Sequence, residues 1–372
     1  MKKKLISIIL TVTTLATFAG CANNAVSQPE SRSSVNSGSV TEDTSKKDEP
    51  DELFHLTQIA QNTGVAHGDS MVAHASGLYE KEGLDVDMTY VQANADSIQA
   101  VLTGKALVGS TSATTTLQYI DQGSDLVIIG GQMTEGASVF CQPDRLDEFK
   151  DLTEEELAGK KVGVSRLQTG DVAFRQALTE RGVDISKIEF VELDSAATVL
   201  EAIQNGQVDL GILMVTFRQA AEQQGLSVVT HIGDLWPGHI CCRVFVTRDT
   251  LENNRDELVK LLKANIEAYA LIQTDEDAAV EYMTQEIAID EGVVREQVYD
   301  YGHLTLDPNP SIADTTKFYE SMVNIGYAGG NVNIADHIDV SLYEEALAEL
   351  LEEDPANAVY LQLKADAERT NH

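Results

Sequence analysis

The chain has 372 residues, 43% of them hydrophobic and 23% charged, with a formal net charge of −34. A surface this acidic repels phosphate backbones and anionic headgroups, so nucleic acid is set aside as a partner. Four cysteines are too few to build a disulfide scaffold at this length, and the core must come from ordinary packing.

The first predicted element is a leader. Met1-Lys2-Lys3-Lys4 is basic, residues 5–18 are apolar apart from scattered Ser and Thr, and Ala19-Gly20-Cys21 supplies small residues ahead of a cysteine. This is the order of a secretory signal, and the apolar run falls short of the ~20 residues that a membrane span needs. Phe18-Ala19-Gly20-Cys21 resembles the bacterial lipobox, with Phe where Leu is usual. The resemblance implies removal of residues 1–20 and acylation of Cys21, giving an extracytoplasmic chain anchored by lipid to the bacterial cell membrane. Removal of residues 1–20 takes away three lysines and no acids, moving the net charge from −34 to −37. Residues 21–52 are rich in Ser, Asn, Asp, Glu and Lys, with almost nothing to bury, and read as a disordered tether.

Beyond the tether, the pattern predicts a strand at 54–60, a helix at 69–81, a strand at 84–91, a helix at 97–103 and a strand at 106–110. The same series recurs 102 residues later, at 161–165, 171–180, 188–193, 197–205 and 208–213. Gly68-Asp69 matches Gly170-Asp171, and Ala100, Gly104, Gly109, Gln122 and Gly123 match Ala202, Gly206, Gly211, Gln224 and Gly225. Strands alternating with short helices indicate βαβ units and a parallel sheet. Two copies of domain size predict a pair of similar α/β lobes, not a solenoid. The remainder is predicted helical at 251–272, 293–301, 314–325 and 341–353, with Leu258, Leu261, Leu262, Ile266, Tyr269 and Ala270 recurring at three and four residues. Those helices would buttress lobe one, and the acidic run at 344–354 reads as a solvated face.

Three stretches carry a family resemblance. They are Gly77-Leu78-Tyr79-Glu80-Lys81-Glu82-Gly83-Leu84-Asp85-Val86, Leu157-Ala158-Gly159-Lys160-Lys161-Val162-Gly163-Val164 and Asn205-Gly206-Gln207-Val208-Asp209-Leu210-Gly211. Each resembles a segment of the substrate-binding proteins of ABC importers of the sulfonate, nitrate and thiamine-pyrimidine type. They fall in that family's order, and the resemblance runs from about residue 53 to 347. It implies an α/β type II periplasmic-binding-protein fold: two lobes, a ligand cleft between them and two crossover strands as hinge. Lobe one would be 53–140 plus 243–372, and lobe two 141–242. The implied partners are a small-molecule ligand and the permease and ATPase subunits of an importer, with the chain a monomer without a cofactor. Crossover strands run side by side in that fold, which brings Cys141 near Cys241 or Cys242. Either a disulfide or free apolar hinge thiols would result.

In open α/β sheets ligands bind beyond the carboxyl ends of the strands, which selects the loops at 61–68, 110–114, 165–170 and 213–216. The candidate ligand-binding residues are Asn62, His67, Thr111 and Ser112 from lobe one, and Ser165, Arg166, Thr169 and Met214 from lobe two. Arg166 is the permanent cation of these loops and suits a bidentate carboxylate, sulfonate or phosphate. Trp236 and His239, just before the second crossover, would line the cleft mouth. Asp69 and Asp171 read as helix N-caps. The sequence has no Gly-x-Ser-x-Gly, phosphate-loop or His-Glu-x-x-His motif, and adjacent Cys241 and Cys242 lack zinc-knuckle spacing. Binding without turnover and without a metal is the expectation. A small organic acid or sulfonate ranks first as ligand, a thiamine-pyrimidine-like heterocycle second, and a ligand-sensing lipoprotein without transport is the further alternative.

Overall fold

A computed structural model describes residues 53–61 and 64–372. The expected leader, the Cys21 anchor, the tether and Asn62 lie outside the described residues. Among the described residues, twelve strands are formed by Phe54–Gln61 (β1), Leu84–Val91 (β2), Val108–Ser112 (β3), Leu126–Gly131 (β4), Met133–Glu135 (β5), Ala137–Cys141 (β6), Lys161–Ser165 (β7), Glu189–Leu193 (β8), Leu210–Met214 (β9), Ser227–His231 (β10), Cys242–Thr247 (β11) and Leu304–Leu306 (β12).

The strands build two five-stranded sheets with the same plan. The first runs β2-β1-β3-β11-β4 and the second β8-β7-β9-β6-β10. In the first, β1 pairs in parallel with β2 and β3, and β11 lies antiparallel between β3 and β4. In the second, β7 is parallel to β8 and β9, and β6 lies antiparallel between β9 and β10. Each sheet thus takes one antiparallel strand from the chain segment that has just crossed from the other.

The repeated residues have backbone reasons. Gly104 and Gly206 sit at φ 71° and 64°, a left-handed conformation that closes the preceding helix. The residues after each bond back into the helix, Lys105 N to Ala100 O and Gln207 N to Ala202 O. That closure delays β3 and β9, which begin at 108 and 210 where 106 and 208 were expected. Gly109 and Gly211 permit close packing: a Cβ on Gly109 would meet the Phe245 ring at 2.4 Å, and one on Gly211 would meet Ile203 Cδ1 at 2.4 Å. The expected helix 69–81 is broken by Gly77 at φ 78° into Gly68–Ala75 and Leu78–Lys81.

Helix Arg255–Thr274 buttresses the first sheet, burying Leu258, Leu261, Leu262 and Ile266. Each such side chain taken out of water contributes ~1.5–3 kcal/mol before entropy is set against it. Two further helices, Glu276–Glu286 and Ala358–Thr370, lie where the sequence reading marked no separate helix. The latter starts at Asn357, whose side chain accepts from Val359 N and Tyr360 N.

Two segments join the sheets. One is β4-β5-β6; the other runs from β10 through Ile232–Leu235 to β11. They bond to each other at Glu135 N to His239 O (2.9 Å) and Cys241 N to Met133 O (3.1 Å). β5 is further held by β12. Sheet membership corrects the expected boundary at 140/141, because all of β6 belongs to the second sheet. The chain turns between β5 and β6 at Glu135 and Gly136, with φ 59° and 85°. Cys141 therefore lies at the far end of β6, opposite Leu210 at the start of β9, while Cys242 pairs with Ser112 in the other sheet. The three described cysteines are free thiols. Pairing of Cys141 with Cys241 or Cys242 is overturned by that placement.

Candidate functional site

A cavity of about 100 Å³ lies where the two sheets and both crossovers meet. Since ~10–15 Å³ on this measure admits one water, there is room for a small organic molecule. From the first lobe come Gln61, Ala66, Asn94 and Ser112; the crossovers add Met133, Cys241 and Cys242. Opposite them stand Gln168, Thr169, Ala196, Met214, Val215, Thr216 and Phe217. Three pairs of these residues are 102 positions apart: Ala66 with Gln168, Asn94 with Ala196, and Ser112 with Met214. The cavity is thus the meeting of equivalent strand ends, as the duplication requires.

Helices begin at its wall. Asn94 opens Asn94–Leu102, Thr169 opens Thr169–Glu180, Ala196 opens Ala196–Gln204 and Val215 opens Val215–Gln223. Their first N–H groups and dipoles turn a partial positive charge toward the space. Among the described residues no charged side chain lines it.

Of the expected residues, Ser112, Thr169 and Met214 line the cavity. Ser112 Oγ is buried without a protein hydrogen-bond partner, so it is open to a ligand. Thr111 is one step removed: its hydroxyl donates to Asn94 Oδ1 at 2.7 Å, which fixes the Asn94 amide. His67 is fully buried and bonded through Nδ1 to Ser110 Oγ at 2.8 Å. Burial pushes it down to about 4, so its imidazole is neutral. Ser165 is buried at the end of β7 and is not part of the lining.

Four expectations are corrected. The Arg166 side chain is 70% exposed, 3.7 Å from Glu192, away from the cavity. Ser165 faces inward, so the next residue faces out, and Leu167 at φ 59° then turns the chain to deliver Gln168 instead. Trp236 is packed in the core, stacked on Phe318 at 6.0 Å with Lys317 Nζ 4.7 Å from its ring centre. His239 is buried in the crossover, with Nδ1 donating to Trp236 O at 2.8 Å. Asp69 and Asp171 lie inside the first turns of their helices and do not cap them, since His67 and Gln168 occupy the cap positions.

Asn94, Ala196, Met133 and Phe217 were not anticipated. Asn94 and Ala196 follow the second strand of each copy, and the 102-residue offset linking them was the available signal.

Comparison with known proteins places this geometry. A family model described as NMT1/THI5 like matches residues 65–279, more than half of the chain. Proteins of Brucella abortus and Brucella suis, provisionally named as binding proteins, are 28% identical over 210 residues, 54% of this chain. The chain spans 61% of the length of those curated relatives. Among solved structures, it is similar to the periplasmic aliphatic sulphonate binding protein SsuA from Escherichia coli, with TM-score 0.66 and 19% identity. That match covers 78% of this chain and 99% of the other. It is similar also to the periplasmic nitrate-binding protein NrtA from Synechocystis PCC 6803, with TM-score 0.67 and 14% identity over 82% of this chain and 91% of the other. The fold is the two-lobed type II periplasmic-binding-protein fold.

Proposed function

The chain belongs to the NMT1/THI5-like family, and from that premise we propose that it is the extracytoplasmic solute-binding component of an ABC importer. The carrying observation is one small cavity walled by both lobes and both crossovers. A solute touching both walls favours the closed arrangement by its differential affinity, and the permease and ATPase would read that arrangement. Binding without chemical change follows. Acylation of Cys21 would hold the domain at the membrane surface.

The wall chemistry favours a small, neutral, polar heterocycle of the thiamine-pyrimidine kind. Gln61, Asn94 and Gln168 offer amides that can read a ring edge, and Phe217 adds an aromatic side chain. A sulfonate or carboxylate is the second reading, carried by the helix N-termini at the wall, which bind anions without a cation. The names of the structural relatives SsuA and NrtA support the anion reading.

A thermal-shift screen over pyrimidines, vitamins, sulfonates and carboxylates tests both, because a ligand of the folded state raises the melting temperature by mass action. The hit should be recovered with unchanged mass. Asn94→Ala or Gln168→Ala should each weaken it by ~1–3 kcal/mol, roughly 5- to 150-fold in Kd. Arg166→Ala should leave the Kd unaltered; retained affinity in both amide variants, with loss in Arg166→Ala, would reject this site.

A further inference from the structure

Cys241 and Cys242 are adjacent, both line the cavity, and their sulfurs are 3.6 Å apart. We propose that they form a peroxide-sensitive dithiol, in which Cys241 is oxidised by a small peroxide entering the cleft and Cys242 resolves it to a reversible vicinal disulfide. The chemistry goes beyond solute binding; only its consequence for the cleft rests on that reading.

The two thiols are placed unequally. Cys241 Sγ lies 3.2 Å from Thr169 Oγ1 on the opposite lobe, in addition to its contact with Cys242. Fully buried Arg243 follows, donating from Nη1 to Cys242 O at 2.8 Å. The Cys242 thiol, then the Thr169 hydroxyl and the Arg243 charge, hold Cys241 below the usual thiol range against the cost of burial. Cys242 is pushed well above it. A thiol that ionises more readily than its neighbour, with that neighbour's sulfur in reach, is the arrangement of an attacking and a resolving cysteine.

The steps balance. The Cys241 thiolate attacks one oxygen of hydrogen peroxide, the O–O bond breaks, and sulfenic acid and hydroxide form. The Cys242 sulfur then attacks the Cys241 sulfur, the S–O bond breaks, and the hydroxyl leaves with the Cys242 proton as water. Two thiols have lost two electrons and peroxide has gained them.

Closing the bond brings the sulfurs from 3.6 Å to about 2.05 Å. Adjacent Cα atoms are about 3.8 Å apart across a trans peptide, below the usual disulfide range, so the ring is strained and easily reduced. The strain falls on a segment held on both sides, with Cys241 N bonded to Met133 O of the other crossover and Cys241 O accepting from Ala113 N of the first lobe. Oxidation also removes the thiol that meets Thr169. The device therefore acts at the hinge and at the cavity wall together.

Cys141 is a control within the molecule. It is a buried thiol at the far end of β6, pushed up to about 11 by burial, and it is absent from the cavity lining. The full chain should be exposed to hydrogen peroxide, denatured, alkylated and peptide-mapped. The 241–242 peptide should lose two hydrogens in mass, and its alkylation should fall roughly tenfold relative to Cys141. Dithiothreitol should restore it. Cys242→Ser should stop at a sulfenic acid on Cys241 that dimedone traps, and Cys241→Ser should give neither product. Oxidation of Cys141 ahead of the pair, or a Cys241→Ser chain that oxidises like the parent, would overturn the proposal. A disulfide that forms in a chain binding no solute leaves this inference standing and removes the transport reading. A chain that binds its solute and forms no disulfide does the reverse.

Discussion

The two lobes share a backbone plan and differ in the chemistry hung on it. Gly104 and Gly206 make the same left-handed closure, and Gly109 and Gly211 make the same close approach. The carboxylates at the equivalent positions 69 and 171 part company. Asp171 is paired with Arg175 at 2.7 Å and accepts from Tyr327 Oη at 2.5 Å. Asp69 is fully buried, and neither of its oxygens has a protein hydrogen-bond partner. The cavity shows the same divergence, with Asn94 and Ser112 of one lobe standing where the other has Ala196 and Met214. Positions that shape the main chain are duplicated, whereas positions that face the cavity are specialised.

The largest expected effect comes from breaking the ion pair that only the second lobe has. Arg175→Ala should cost ~3–5 kcal/mol, because it strands a buried carboxylate and removes a guanidinium stacked 3.7 Å over Phe190. Urea unfolding measures it, and a loss below ~1 kcal/mol would mean that Asp171 finds other partners on its own.

The glycine pair should come next. Gly109→Ala drives a methyl group into a rigid Phe245 ring and should cost ~1–3 kcal/mol. Gly211→Ala meets the movable end of Ile203 and should cost less. Equal losses would show that the two sheets accommodate strain alike.

Asp69→Asn should have the smallest effect and the opposite sign. Burial, and then the charge of Asp307, raise Asp69 well above the ordinary carboxylate range. A raised folded value means that the folded state holds a proton the unfolded chain releases, so stability is fullest at acid pH and is lost as pH rises. The substituted amide has no such proton to release, so the variant should gain on the parent chain as pH rises from about 4 to 7.5. Asp307, pushed up to about 6 by burial, contributes the same trend in both proteins. Unfolding curves across that range check it, and a constant difference would show Asp69 ionised throughout.

Much of this was legible because helix closures and strand contacts demand particular residues at fixed spacing. The duplication, β2 and β7 with their observed ends, and Ser112, Thr169 and Met214 followed from it. What escaped depends on single turns. Leu167 at φ 59° moves Arg166 out and Gln168 in, and no periodicity announces a left-handed leucine. The turn at Glu135 and Gly136 starts the second sheet before Cys141, so the expected thiol neighbours part. Trp236 could serve a cleft or a core, and its stack with Phe318 joins segments some eighty residues apart in the sequence.

The central claim is that one solute is held between the lobes. A crystal structure with the strongest thermal-shift hit tests it most directly. The account predicts the molecule within hydrogen-bond distance of Asn94 on one wall and Gln168 on the other. A solute seated on one lobe alone, or on an outer face, would contradict it.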